Sequence, residues 1–428
     1  MELSPVKKLS GSITVPPDKS ISHRGVMFGA IAEGTTEIEN CLLSADCRST
    51  IGCFRKMGIP IDVDEATAKV TVEGKGLHGL CAPDGILDTG NSGTTTRLIS
   101  GILAGQSFPS VLSGDASLNS RPMRRIMTPL TMMGASIASE HDNYCAPLHI
   151  SPAPLHGIHY YSPVASAQVK SCILLAGLYA EGTTCVTELA VSRDHTERML
   201  RAFGADVETD GKTVRIRPHP VLEARQITVP GDISSAAYFI AAASLIPNDG
   251  IRIRNVGINP TRSGILEICG QMDADIVVEN FRNVSGEPLC DLIVRKADLK
   301  GCEIGGDIIP ALIDELPILA VMACYAQGQT VIKDAADLKN KESDRIETVV
   351  TNLKAMGADI EATGDGMIIN GTGTLHGGAL ESYEDHRIAM AMTVAAMAAD
   401  GSSTLSHPDC VRISYPHFYD DIMSLVER

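Results

Sequence analysis

The sequence predicts an α/β protein of two similar domains, each assembled from three repeated units in which apolar helices are wrapped by sheets. Three observations carry this prediction. A helix end followed by a strand recurs along the chain, a polar loop that opens a small-residue helix occurs six times, and several helices are apolar around their whole circumference. At 428 residues the chain is also too long for one hydrophobic core.

The first repeat runs through residues 54–61, 130–137, 200–207, 269–276 and 353–360, each a helix end passing into a strand. Gly58, Gly134, Gly204 and Gly357 take the position just past the helix where the backbone turns left-handed, and Asp273 stands in once. The second repeat consists of polar loops beginning at Asp18, Gly90, Ser166, Gly231, Gly306 and Glu384, about 65 to 80 residues apart. Each interval holds a helix–strand–helix–strand–strand set, so two domains share three units each.

Segments 166–179, 234–246, 314–325 and 385–399 lack a polar face and belong inside a domain. Alternating stretches such as 68–73 and 212–217 read as half-exposed strands. The pair Pro230-Gly231 interrupts the repeat at its midpoint and marks a linker, and return of the opening strand to the second half makes residues 15–19 the other crossing. The expected division is residues 1–18 with 229–428 in one domain and 19–228 in the other, with six helix starts available to one cleft.

Composition narrows the function classes. Trp is absent, aromatics are 4% of residues and the net charge is −16, which argues against base stacking, nucleic-acid binding and anionic membranes. Anionic ligands then require a locally basic cleft. The twelve cysteines form no Cys-x-x-Cys or Cys/His array and read as reduced core thiols, with metal ligation the lesser alternative. No apolar signal core opens the chain, and the apolar runs 236–246 and 388–399 fall short of the roughly 20 residues a bilayer span needs. The expectation is a soluble cytoplasmic protein.

Charged and polar clusters sit at the loops. Residues 17–24, Pro-Asp-Lys-Ser-Ile-Ser-His-Arg, lie between an extended run and a helix expected over residues 25–33, and place Lys19, Ser20 and Arg24 around a helix start that favours anions. An ordinary Asp/Ser cap with solvated cations accounts for the same residues. The second loop, 88–97, offers backbone N–H groups past Gly90 and Gly93 and ends in Arg97, yet lacks the Gly-Lys-Ser/Thr of a P-loop. Arg121 is either a bidentate anion ligand or part of a charged turn. Ser166 to Lys170 offer hydroxyl, amide and ammonium donors, and Ser192 to Glu197 follow as a second polar cluster. Asp314 and Glu315 precede an apolar helix as a capping pair or, for Asp314, a general base. Lys341 and Arg345, four apart, are expected on one helix face, with Glu342 kept ionised beside them. Arg387 stands at the mouth of an apolar helix, where a charge needs a partner.

In this order the motifs Asp-Lys-Ser-Ile-Ser-His-Arg, Gly-Asn-Ser-Gly-Thr, Ser-Arg-Pro, Lys-Glu-Ser-Asp-Arg and Asp-His-Arg resemble the 3-phosphoshikimate 1-carboxyvinyltransferases (5-enolpyruvylshikimate-3-phosphate synthases) over nearly the whole chain. The resemblance implies the enolpyruvyl transferase fold, an inside-out α/β barrel of two domains with three βαβαββ units each, which close like a clamp around an active site in the interdomain cleft. It implies transfer of the enolpyruvyl group of phosphoenolpyruvate to the 5-hydroxyl of 3-phosphoshikimate with release of phosphate, in the shikimate pathway to chorismate and the aromatic amino acids. No cofactor or metal is implied, and the protein is expected to be a monomer and a glyphosate target.

Carried over by motif, Lys19, Ser20, Arg24, Ser166, Ala167, Gln168, Asp314 and Lys341, with Ser192 or Arg193, hold 3-phosphoshikimate. Lys19, Asn91, Gly93, Arg121, Gln168, Arg345 and Arg387 hold phosphoenolpyruvate. Asp314 takes the hydroxyl proton, Glu342 protonates the methylene carbon, and Lys19 shuttles a proton or stabilises charge.

The chain departs from the family pattern at Pro17, where many members have Gly, and at Ile413, where some have Lys; Arg412 is the adjacent alternative. Residues 166–170, 193–197 and 259–262 resemble the second, often glyphosate-tolerant class, whereas Gly93 stands where tolerant members can carry a bulkier residue, which leaves tolerance open. Two rival readings are a UDP-N-acetylglucosamine 1-carboxyvinyltransferase and a non-catalytic anion-binding clamp. The first expects a cysteine in the loop before Arg121-Pro122, and residues 112–122 contain none.

Overall fold

The computed structural model describes residues 1–427. Contacts divide the chain into two compact units. One comprises Pro17–Val229 with Val284–Gly286, and the other Met1–Pro16, Pro230–Asn283 and the chain from Glu287 onward. Each has its own continuous apolar core.

The Pro17–Val229 unit contains three four-stranded sheets around buried helices. In each sheet one strand pair is parallel and the remaining pairs antiparallel, as in Leu87–Asp88, Ser110–Ser113, Leu148–Ser151 and Ser136–Ser139. The chain builds these sheets as strand, buried helix, strand, outer helix and two antiparallel strands, the βαβαββ unit. The first repeat is completed from afar: its parallel strand, Gln226–Thr228, pairs with Glu33–Glu39.

The second unit repeats the plan. Its first sheet borrows Ser12–Thr14 from the chain start as the parallel partner of Ile251–Gly257. Its last sheet has three strands, with Glu2–Leu3 antiparallel to Ser403–Ser406.

The inner helices show why the apolar segments lack a polar face. All residues of Ile233–Leu245 are buried, and Leu316–Tyr325 is buried up to Cys324. Together with His386–Ala398 they touch one another pairwise. Each large apolar side chain removed from water contributes roughly 1.5–3 kcal/mol, so sheets on every side are the stable answer. In the other unit the helices Gly93–Ala104 and Ala167–Gly177 approach so closely that a Cβ on Gly101 would lie 2.2 Å from the Cys172 carbonyl oxygen.

The helix-ending turns are left-handed as the pattern requires: Gly58, Gly134, Gly204 and Gly357 have φ of 84°, 94°, 101° and 84°, and Asp273 has 60°. Asp18, Ser92, Asp232, Asp344 and Asp385 cap helices through side-chain oxygens, each worth about 1 kcal/mol. Two expectations are corrected. The helix expected over residues 25–33 spans Lys19–Ile31, because Asp18 caps it and nothing in residues 19–24 breaks it. Lys341 and Arg345 do not share a helix face, since Lys341 is extended and the helix begins at Arg345, after its Asp344 cap.

All twelve cysteines are free thiols, and among the described residues no group of His, Cys, Asp or Glu is arranged to hold a metal ion. No single described helix is long and apolar enough to cross a membrane.

Candidate active site

In the Pro17–Val229 unit three inner helices begin at Lys19, Gly93 and Ala167, and basic and amide groups gather at these starts. Lys19 Nζ lies 3.0 Å from Asp46 Oδ2. Arg24 is buried and held on three sides: its Nε donates to Thr196 Oγ1 at 2.7 Å, one terminal nitrogen to Ser171 Oγ at 2.9 Å and the other to the Ser20 carbonyl at 3.0 Å. Such a guanidinium has little rotational freedom left to lose on binding an anion.

Arg121 donates to Asn91 Oδ1 at 2.6 Å, and Asn91 in turn donates to Asp115 at 2.7 Å. Gln168 accepts from Arg97 at 2.7 Å and donates to Thr94 Oγ1 at 3.1 Å. A Cβ on Gly93 would stand 2.7 Å from Arg97 and 3.8 Å from Arg121. These contacts bring Asn91, Gly93, Arg121 and Gln168 together and add Arg97, which the sequence reading saw only as the cation ending its loop. Ser166 opens its helix without a side-chain cap bond, and Ser20 and Ala167 are half-buried.

Lys170 departs from the expected place among the donors at its helix start. It is turned inward to Glu188 and Glu197, at 2.8 and 2.7 Å, and supplies no donor at its helix start. Its four-carbon stem reaches past the first turn to two buried carboxylates. Ser192 is buried beside this cluster and Arg193 half-buried.

In the second unit one carboxylate gathers three cations. Asp314 Oδ1 lies 3.4 Å from Lys341 Nζ and 3.3 Å from Arg345, and Asp314 Oδ2 is 3.7 Å from Arg387. Arg345 is 1% exposed, donates to Glu342 at 2.6 Å and pairs with Asp385 at 2.8 Å. Although burial works to raise it, the Arg345 charge beside Glu342 holds that carboxyl well below its usual range, and Asp385 is lowered in the same way. Asp314, Lys341, Glu342, Arg345 and Arg387 are thus one cluster; Asp385, absent from the sequence reading, was visible only as the middle of the Glu384-Asp385-His386-Arg387 motif.

Glu315 does not cap its helix. It is buried, accepts from Ser234 Oγ and lies 3.3 Å from Arg262, which also pairs with Asp232 at 2.9 Å. Protein side chains therefore fill the start of Ile233–Leu245. Arg412 is an exposed cation 3.6 Å from Asp409.

A family model described as EPSP synthase (3-phosphoshikimate 1-carboxyvinyltransferase) matches residues 3–422. The chain is 52% identical over 424 residues to the 3-phosphoshikimate 1-carboxyvinyltransferase of Desulforamulus reducens, covering 99% of each chain. It is 54% identical over 419 residues to that of Bacillus cytotoxicus, covering 98% of each. A solved EPSP synthase from Acinetobacter baumannii matches with TM-score 0.90 and 46% identity over 99% of this chain and 98% of that one. The enolpyruvyl transferase NikO from Streptomyces tendae, 20% identical over 99% and 96% of the two chains with TM-score 0.81, shares the fold. With a family match spanning both units and relatives of this identity across nearly its full length, the chain belongs to the EPSP synthase (3-phosphoshikimate 1-carboxyvinyltransferase) family.

Proposed function

We propose that this protein transfers the enolpyruvyl group of phosphoenolpyruvate to the 5-hydroxyl of 3-phosphoshikimate, releasing phosphate. The observation that carries this reading is Asp314, a carboxylate ringed by Lys341, Arg345 and Arg387. Both substrates carry a phosphate and a carboxylate and repel one another, so bringing them together calls for several fixed cations. Lys19, Ser20, Arg24, Ser166, Ala167, Gln168, Arg193 and Lys341 hold 3-phosphoshikimate. Lys19, Asn91, Gly93, Arg121, Gln168, Arg345 and Arg387 hold phosphoenolpyruvate.

In the addition step the 5-oxygen bonds to C2 of phosphoenolpyruvate while Asp314 takes the hydroxyl proton. Glu342 delivers a proton to C3, turning the methylene into a methyl group. Its Arg345 partner keeps Glu342 ionised in the free protein; an anionic substrate that draws on Arg345 weakens that hold and lets the carboxyl take up the proton it donates. Elimination returns one proton from the methyl group to a base and breaks the C2–O bond to phosphate, with Lys19 offsetting charge on the tetrahedral intermediate. The same reading makes the protein a cytoplasmic monomer, testable by fractionation and sedimentation.

The deciding experiment measures phosphate release from phosphoenolpyruvate with 3-phosphoshikimate and, in parallel, with UDP-N-acetylglucosamine. Release with the first alone is expected. Release with only the second, or tight binding of 3-phosphoshikimate without turnover, overturns the assignment.

A further inference from the structure

The buried cluster of Lys170, Glu188 and Glu197, each side chain about 2% exposed, grips a specific piece of backbone. Glu188 accepts the Ser192 hydroxyl proton at 2.5 Å and the Ser192 N–H at 3.3 Å. Lys170 donates to the Ser192 carbonyl at 3.2 Å. Hydroxyl, N–H and carbonyl of one residue are therefore all engaged from inside the protein. On the other side of the cluster, Ser171 and Thr196 follow and precede Lys170 and Glu197 in the chain. They hydrogen-bond one another at 2.7 Å and hold the Arg24 guanidinium.

A phosphate accepts hydrogen bonds, and both Ser192 donors already go to Glu188. We infer that Ser192 is not a phosphate ligand, and that Lys170, Glu188 and Glu197 are positioning residues that anchor Ser192 so that Arg193, with Arg24 aligned through Ser171 and Thr196, meets the phosphate of 3-phosphoshikimate. This rests on the proposed reading of Arg24 and Arg193 as ligands of that substrate. Burial alone would lower the Lys170 ammonium, but Glu197 and Glu188 outweigh it and raise it, so the cluster keeps its cation throughout an assay range. Removing one partner of a buried ion pair is strongly destabilising. The informative variant is therefore Glu188→Gln, which leaves the Lys170–Glu197 pair with no net charge and offers Ser192 one acceptor oxygen instead of two.

The experiment measures both KM values, kcat and the urea midpoint for Glu188→Gln, Arg193→Gln and the double variant. Glu188→Gln is expected to raise KM for 3-phosphoshikimate about tenfold, the scale of a lost charged hydrogen bond, with KM for phosphoenolpyruvate within about twofold and a near-normal midpoint. In the double variant the effect falls well below the product of the singles, because both changes act through one contact. If Arg193→Gln raises this KM and Glu188→Gln does not, or if the effects multiply, the positioning role is wrong while the substrate site stands. If Arg193→Gln changes nothing, the underlying site reading fails and takes the inference with it. Should Glu188→Gln not fold, Ser192→Ala in the same cycle with Arg193→Gln decides by the same criteria.

Discussion

Asp385 receives the Arg345 Nε–H on one carboxylate oxygen at 2.8 Å and, on the other, the Arg387 backbone N–H at 2.9 Å. One buried side chain thus orients a guanidinium and caps the helix that carries the next one. Arg345 has Glu342 and Asp314 as its other carboxylate partners, so Asp385→Asn weakens the pairing of a buried cation and leaves the cap acceptor in place. The expected loss is about 3–5 kcal/mol of stability, the scale for breaking a buried pair, together with a raised KM for phosphoenolpyruvate. Urea unfolding and steady-state kinetics check both, and wild-type values for the two would show that Asp385 does not hold Arg345.

Asp314→Asn keeps the shape of the side chain and removes the proton acceptor. Turnover is expected to fall by roughly 10²–10⁴-fold, the usual contribution of a general base. Binding of 3-phosphoshikimate, followed by calorimetry, should remain measurable because Lys19, Arg24, Gln168 and Lys341 are untouched. Unchanged turnover would remove Asp314 from the chemistry.

Gly93→Ala places a methyl group 2.7 Å from an Arg97 nitrogen, so that guanidinium must move and its 2.7 Å bond to Gln168 lengthens. The shift falls on Gly93, assigned to phosphoenolpyruvate alone, and on Gln168, assigned to both substrates. KM for phosphoenolpyruvate is expected to rise on the order of tenfold, the loss of one charge-assisted hydrogen bond, with a smaller rise in KM for 3-phosphoshikimate. Equal rises in the two constants would place the disturbance elsewhere.

Stability should fall in acid in two windows. His23 is buried against Thr50 Oγ1 at 2.7 Å, and burial pushes its imidazole down to about 3. The unfolded chain binds a proton at this residue below about pH 6.5 while the folded chain does not, so its contribution is complete above that pH. It is lost between about 6.5 and 3, at up to about 1.4 kcal/mol per pH unit. Glu342 and Asp385 are held low by Arg345; their contribution is present above about pH 4 and disappears as pH falls through their depressed values. Urea midpoints between pH 7 and 4.5 should decline in the wild type and flatten in His23→Gln. An identical decline in that variant would assign the upper window to another group.

Local chemistry made much of the fold legible in the sequence. Gly58, Gly134, Gly204 and Gly357 mark helix ends because a left-handed turn favours a residue without Cβ, and Asp273 adopts the same turn at φ 60°. The apolar stretch 316–325 announced an inner helix because no face of it tolerates water. The same local reading misled at Lys341 and Arg345, where spacing suggested a shared helix face and the Asp344 cap starts the helix later. Their common partner is Asp314, more than twenty residues away.

Sequence by itself determined the repeat, the polar loops that open the inner helices, the charge types gathered there and the family. Tertiary structure alone decided which charges meet. Lys170 looked like a donor at a helix start and is enclosed by Glu188 and Glu197; Asp385 passed unremarked inside its motif and both caps a helix and holds Arg345; Arg97 looked like a loop end and engages Gln168. Caps and turns depend on backbone geometry within a few residues, which the local sequence encodes directly. Ion pairs between separate elements depend on which side chains the packed helices and sheets bring within about 4 Å, the range over which burial makes a charge partner count.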